Sequence, residues 1–470
     1  MARNKIDILD RSLPARTVIM SIVWPCLIEE FMMILVGFVD TAMVGSIGVN
    51  ATASTALGSP VMMLTNGFMM GLSMGFSVLV GRCIGENRKE RGLQIMRQTV
   101  YLVLVFGLAL NLLYAFFFAP ELPRLMRAKP EIWESSSSYL FHIGWSRIFI
   151  IGSFTANAIH RAQGDTHTAM IANVCANICN CILNFLFIYP TRTLSVLGMS
   201  FTMIGWGKGV TGAAIATSIA NLVAFVISFA KLFDKHKDIP LSFEGFPKFE
   251  PEVFKTVFTI GIPVALERAI ISCGQLVITS MLANIGTATL AAHNLAGHAE
   301  SVCFISVMGF GTAATTLVAQ WLGAGDHERA EELATKCIKY SCIVMGTVAF
   351  ILFFICPYVI DVFTDDEEVI RMGSEALRIQ CFAEIFSAVT MCISGILRGA
   401  GDVRYSTMSS IIGMWGLRVP LAFVLIHFYN FGLTGVWIPM ALDWVLRCAL
   451  MTHRYRGGKW KQAFERVKGA

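Results

Sequence analysis

The sequence predicts an all-α polytopic membrane protein, with twelve transmembrane helices in two parallel-repeat six-helix bundles. Three observations carry that expectation. Of 470 residues 55% are hydrophobic and 15% charged, with a mean hydropathy of +0.64, whereas a soluble globular chain carries about 25% charged residues. Apolar stretches long enough to cross a bilayer, about 20 residues each, recur twelve times. The second half of the chain also repeats the first. A water-soluble enzyme of two or three domains is excluded, and 14 Pro and 40 Gly are too scattered for a fibrous or disordered chain.

In order, the stretches lie near 17–45, 55–81, 98–119, 138–159, 167–190, 209–232, 256–283, 291–322, 338–360, 375–396, 404–427 and 432–452. The first contains Pro25, which deprives the Ser21 carbonyl of its helical partner and predicts a kink. It also holds Glu29, Glu30 and Asp40. Glu29 and Asp40 are eleven residues apart, hence about 20° apart around the helix and on one stripe. Met62, Met63, Met69, Met70 and Met74 crowd the second span, where flexible thioethers suit an adaptable apolar surface. The fourth carries Arg147, and on the fifth Asn180 and Asn184 lie about 40° apart, so both side chains reach one point. In the seventh, Pro263 and Glu267 repeat the spacing of Pro25 and Glu29. His293 and His298 fall on the eighth span, Glu384 on the tenth. No loop is long enough for a soluble domain. The expected organisation is an N-lobe over 1–235 (helices 1–6), a cytoplasmic linker over 236–254 and a C-lobe over 255–470 (helices 7–12).

The repeat rests on gapless matches. Pro25, Glu29, Met43, Ile47-Gly48, Leu79-Val80, Gly85 and Glu90-Arg91 recur 238 residues later as Pro263, Glu267, Met281, Ile285-Gly286, Leu317-Val318, Gly323 and Glu328-Arg329. Arg161-Ala-Gln-Gly164-Asp165 matches Arg398-Gly-Ala-Gly401-Asp402 at an offset of 237, and Gly209-Val-Thr-Gly212 matches Gly432-Leu-Thr-Gly435 at 223. The last change assigns about 14 extra residues to the external loop near 190–208. Six helices per half give both halves the same orientation. Transporters built from such repeats bind substrate at the repeat interface.

Lys and Arg set the orientation. One alternating set of loops and termini holds 27 of them, the other only 6, so both termini are expected in the cytoplasm. The net charge of +5 then reflects topology rather than nucleic-acid binding. No signal-peptide pattern precedes the first span. Most of the 13 Cys fall inside apolar spans, without a CxxC pair or zinc-ligand spacing; no metal and no cofactor are expected. No HExxH or dyad spacing marks an intramembrane enzyme.

The matching residues resemble the multidrug and toxic compound extrusion (MATE) family of cation-coupled antiporters. The marks are Pro25 followed by Val39-Asp40-Thr41-Ala42-Met43-Val44-Gly45, then Gly81-Arg82-Cys83-Ile84-Gly85 with its counterpart Ala319-Gln320-Trp321-Leu322-Gly323. Further marks are Arg161-Ala-Gln-Gly-Asp165, Asn180 with Asn184, Gly212-Ala213-Ala214-Ile215-Ala216-Thr217, Ala291-Ala292-His293 and Leu397-Arg398-Gly399. The resemblance implies a V-shaped pair of six-helix lobes in the cell (inner or plasma) membrane, exporting organic cations in exchange for H⁺ or Na⁺. It places the N-lobe coupling site at Asp40, with Asn180, Asn184 and Thr217 completing an oxygen-rich cluster suited to a hard cation or a protonatable carboxyl.

A carboxylate in a membrane span is costly unless paired or facing water. Glu29, Glu267, Glu384 and His293 are therefore candidates for a substrate cleft, with Arg147, Arg268 and Arg378 expected to neutralise some of the acids. The NorM-like branch has carboxylates where this chain has Ile271 and Ser387, so the resemblance is closer to the DinF-like branch. The expected activity is secondary antiport of amphipathic or cationic small molecules by a monomer surrounded by membrane lipid. A lipid-linked oligosaccharide flippase is the alternative, but it calls for Arg and Lys where the inward candidates here are acids.

Overall fold

The structure, a computed structural model, describes residues 7–196, 199–243 and 248–466. Arg3, Lys5 and Lys468 of the charge count, and 244–247 of the expected linker, lie outside the described residues. In chain order the helices are α1 (Ala15–Gly45), α2 (Val49–Gly85), α3 (Lys89–Leu125), α4 (Trp133–Trp145), α5 (Arg147–Ala162), α6 (Thr166–Ile188) and α7 (Gly209–Phe233). They continue as α8 (Pro251–Ala283), α9 (Thr287–Gly323), α10 (His327–Asp361), α11 (Glu367–Gly399), α12 (Val403–His427), α13 (Thr434–Arg456) and the short α14 (Lys459–Arg466). Among the described residues, eleven of them are long and apolar enough to cross a membrane. The chain is a multi-pass, nearly all-helical protein, as its composition requires.

The expected fourth span is the pair α4 and α5, of 13 and 16 residues, broken at Ser146. Ser146 is fully buried, and its hydroxyl donates to the Ile143 carbonyl at 2.7 Å, the local competition by which Ser interrupts a helix. The break is sealed by one side chain from α3. Asn111 donates to the Trp145 carbonyl at 3.2 Å and accepts from the Ile148 amide at 3.1 Å. An apolar medium offers no water to either group, so a protein partner must replace it.

The loop expected near 190–208 is a β-hairpin, β1 (Pro190–Val196) antiparallel to β2 (Met199–Trp206), with a register shift between Pro190 and Arg192. At its base Phe187 stacks on Trp206 with centroids 4.7 Å apart. The repeated Arg-x-x-Gly-Asp segments make one tight turn twice. Gly164 and Gly401 take φ of +75° and +79°, a backbone that glycine adopts without strain. The following amides fold back in the same pattern, Asp165 N to His160 O and Asp402 N to Leu397 O, both at 2.8 Å, the 6→1 bond of a Schellman ending. Asp165 then caps α6, accepting from the Thr168 amide at 3.1 Å.

The chain forms two compact units. One takes the residues through Leu27, Gly81–Asn87 and Phe258 onward; the other takes Ile28–Val80 and Arg88–Val257. The core of the first includes Ile19, Ile22, Phe310, Leu317, Leu333, Ile396 and Trp460. In the second, Val44, Ala51, Ile188, Val210 and Ala213 pack together, as do Tyr114, Leu122, Leu140 and Ile143.

Candidate functional site

Three elements of the second unit bring Asp40, Asn180, Asn184 and Thr217 together. Asp40 projects from α1, the two amides share one face of α6, and Thr217 comes from α7. Asn184 Nδ2 donates to Asp40 Oδ1 at 2.5 Å. Asn180 fits in two orientations. In one, its Nδ2 donates to Thr217 Oγ1 at 3.2 Å while its Oδ1 accepts from Asn184 at 3.0 Å. In the other, its Nδ2 donates to Asp40 Oδ1 at 2.7 Å and its Oδ1 accepts from the Thr217 hydroxyl. Both asparagines are buried and Asp40 is half-buried. Such a cluster presents donors to a carboxylate, and it meets the rule that an intramembrane acid needs polar company.

Beside it lies an open apolar groove of ≈ 520 Å³, lined by Val39, Met43, Cys181, Ile182, Phe185 and Leu186. The hairpin supplies a cation at its rim, because the Arg192 guanidinium lies 3.9 Å from the Tyr189 ring centroid and 5.0 Å from that of Phe185. Tyr189 in turn hydrogen-bonds Ser46 on α1's C-terminal side at 2.7 Å. An apolar wall with aromatic groups and a few polar neighbours is the ordinary make-up of a small-molecule site.

The other candidates lie elsewhere. Glu29 accepts from Asn173 Nδ2 at 2.6 Å and pairs with Arg161 at 3.3 Å. Glu267 accepts from Ser410 at 3.0 Å and Ser406 at 3.3 Å, with Arg398 3.9 Å away. Two of the three expected counter-charges point elsewhere. Arg147 instead donates to Asn66 at 2.8 Å and lies over Tyr114, and Arg378 lies over Phe353. Arg161 and Arg398 serve the acids because both sit in the last turns of their helices, α5 and α11, where a loop count had placed them. α1 runs unbroken through Pro25 and α8 through Pro263.

Glu384 is 1% exposed and accepts from Ser387 at 2.9 Å. His293 is buried with its ring against Trp437, 5.7 Å between centroids. Sequence reasoning passed over their companions. Glu300 is buried within electrostatic range of Glu384 and Arg418. Asp443 is wholly buried and accepts from Arg447 at 2.6 and 2.7 Å. Arg447, inside the twelfth stretch, is also buried. One signal was available: Glu300 follows His293 by seven residues, about 20° around the helix, on the same face. In the first repeat the positions of Glu300, Asp443 and Arg447 are Met62, Ala220 and Ala224. Among the described residues no group of three His, Cys, Asp or Glu side chains is placed to hold a metal ion.

A two-repeat helical fold with spans long enough to cross a membrane and acids held by polar partners within them is that of a transporter. The chain belongs to the MatE family: the family model matches twice, over residues 25–186 and 263–424, and these ranges restate the 238-residue repeat. Among curated proteins it is 28% identical over 457 residues to the probable multidrug resistance protein NorM of Thermotoga maritima, covering 94% of each chain. Among solved structures it resembles a MOP superfamily transporter from Pyrococcus furiosus (TM-score 0.86, 22% identity). It resembles equally an outward-facing multidrug resistance MATE family transporter (TM-score 0.86, 22% identity); each alignment covers 100% of both chains.

Proposed function

We propose that this transporter exports organic or amphipathic cations from the cytoplasm by antiport against protons that bind at Asp40. The observation that carries the reading is the donor set around that carboxyl. Asn184 turns its N–H toward Asp40, and Asn180 does so in one of its two orientations. Amide nitrogens hydrogen-bond a carboxylate that takes up H⁺, whereas Na⁺ would need the amide oxygens turned inward. H⁺ is therefore favoured over Na⁺. Ile271 and Ser387, apolar or neutral where the NorM-like branch has acids, support coupling through the first repeat and a place nearer the DinF-like branch. The curated relatives named for multidrug resistance favour efflux over the flippase alternative.

Purified protein in liposomes, loaded with a fluorescent organic cation, tests this. An imposed pH gradient should drive exchange and an equal sodium gradient should not. Asp40→Asn should lower the exchange about tenfold or more without altering the yield of folded protein. Undiminished exchange in Asp40→Asn, or exchange driven by sodium alone, overturns the assignment.

A further inference from the structure

Two contacts between α1 and α6 share one spacing. Glu29 and Asp40 are eleven residues apart on α1, and Asn173 and Asn184 are eleven apart on α6. Asn173 donates to Glu29 at 2.6 Å and Asn184 to Asp40 at 2.5 Å. The helices therefore run parallel and in register, joined by two polar rungs about 16 Å apart at 1.5 Å rise per residue. The rungs differ in one respect. Glu29 also holds Arg161, whose Nη1 lies 3.3 and 3.5 Å from its two oxygens, while Asp40 is met by the amide of Asn184 and, in one orientation, that of Asn180, with Tyr139 and Cys181 as titratable neighbours. Arginine keeps its charge at any accessible pH. The Glu29 rung thus carries a permanent positive charge beside its carboxyl, and the Asp40 rung has none among the partners named.

The second repeat supplies an internal control. Glu267, Arg398 and Ser410 stand at the positions of Glu29, Arg161 and Asn173, at offsets of 238, 237 and 237. They are also in contact, with Ser410 3.0 Å and Arg398 3.9 Å from Glu267. The positions of Asp40, Asn180, Asn184 and Thr217 are there Ile278, Leu417, Leu421 and Met440, with no carboxyl, amide or hydroxyl. The glutamate rung is present with a carboxyl cluster beyond it and without one, so its role is separable from that cluster. In both repeats it sits four residues after the proline, at Pro25 and Pro263.

We propose that Glu29, Arg161 and Asn173 are positioning residues that form a fixed fulcrum. They set the register of α1 against α6, so that gain or loss of a proton at Asp40 acts only on the part of α1 beyond Glu29. Neither Glu29 nor Arg161 touches substrate in this scheme; their effect on exchange passes through Asp40. The inference rests on the reading of Asp40 as the proton site.

The test is exchange of a fluorescent organic cation in proteoliposomes, measured against pH, with thermal melts to verify folding. Glu29→Gln keeps the shape and the Asn173 contact but removes the charge that holds Arg161. It should shift the pH of half-maximal exchange by about one unit, the size of one hydrogen bond to a charged group. Arg161→Met should shift it equally, the double variant no further, and Arg161→Lys should restore most of the shift. Glu267→Gln should change the maximal rate or the melting temperature while leaving the pH midpoint in place. An unmoved midpoint in folded Glu29→Gln and Arg161→Met, or an equal shift in Glu267→Gln, overturns the fulcrum. If Asp40→Asn itself retains pH-driven exchange, the coupling assignment fails first; if it loses exchange while Glu29→Gln keeps its midpoint, the fulcrum alone fails.

Discussion

Asp443 shows what an ionised side chain requires inside an apolar span. Its carboxylate has no exposure and receives a two-pronged contact from Arg447, with Arg418 4.0 Å away. A Cβ on Gly413 would meet its Oδ1 at 2.0 Å, so α12 approaches this pair through a glycine. Asp443→Asn would leave a guanidinium buried without a counter-charge, at a cost of about 3–5 kcal/mol. Replacing both partners, as Asp443→Leu with Arg447→Leu, should cost less, because Arg447 is no longer stranded and Arg418 keeps Glu300 within electrostatic range. The melting temperature in detergent decides between them: a double variant as unstable as the single one would show that the pair holds the fold by more than mutual neutralisation. The same physics explains which site residues were legible. Asp40 and its amides could be read because each is a polar group in an otherwise apolar stretch, with Asn180 and Asn184 at helical spacing. The partners of Glu29 and Glu267 could not, because Arg161 and Arg398 end their helices and look like loop charges in a linear count.

At the scale of elements, hydropathy finds a span but not a fault inside it. Trp145-Ser146-Arg147 carries no proline, and the division between α4 and α5 depends on Asn111, a residue 35 positions before Ser146 on another helix. No local pattern encodes that contact. Asn111→Leu should orphan the Ile148 amide and the Trp145 carbonyl together, and an unmet buried polar group costs about 1–3 kcal/mol. A lower melting temperature and faster hydrogen exchange at Ile148 are expected. Asn111→Asp, which keeps an acceptor for Ile148 but no donor for Trp145, should protect that amide better than Asn111→Leu does. Equal protection in the two variants would mean that the break is held by the packing of Ser146 and Arg147 instead. The hairpin was partly legible, since the change in repeat offset from 237 to 223 located the extra residues, but alternation over so short a segment did not distinguish paired strands from loop.

For the whole molecule, the repeat was the most legible feature, because identical residues at one offset need no structural inference. It also constrains orientation: an even number of crossings per repeat returns the chain to its starting side, and the excess of Lys and Arg in one set of segments makes the cytoplasm the expected side. Lys208, exposed after the hairpin, and Lys459, exposed at the start of α14, belong to opposite sets. Single cysteines at these positions, in a background lacking the 13 native cysteines, test the arrangement with a thiol reagent that cannot cross membranes. In right-side-out vesicles Lys208→Cys should react and Lys459→Cys should not, with the pattern exchanged in inverted vesicles. Labelling of both from one side would contradict the odd number of crossings between them. A reversed pattern would place Asp40, near the C-terminal end of the first crossing, toward the cytoplasm and reverse the direction in which protons could drive export.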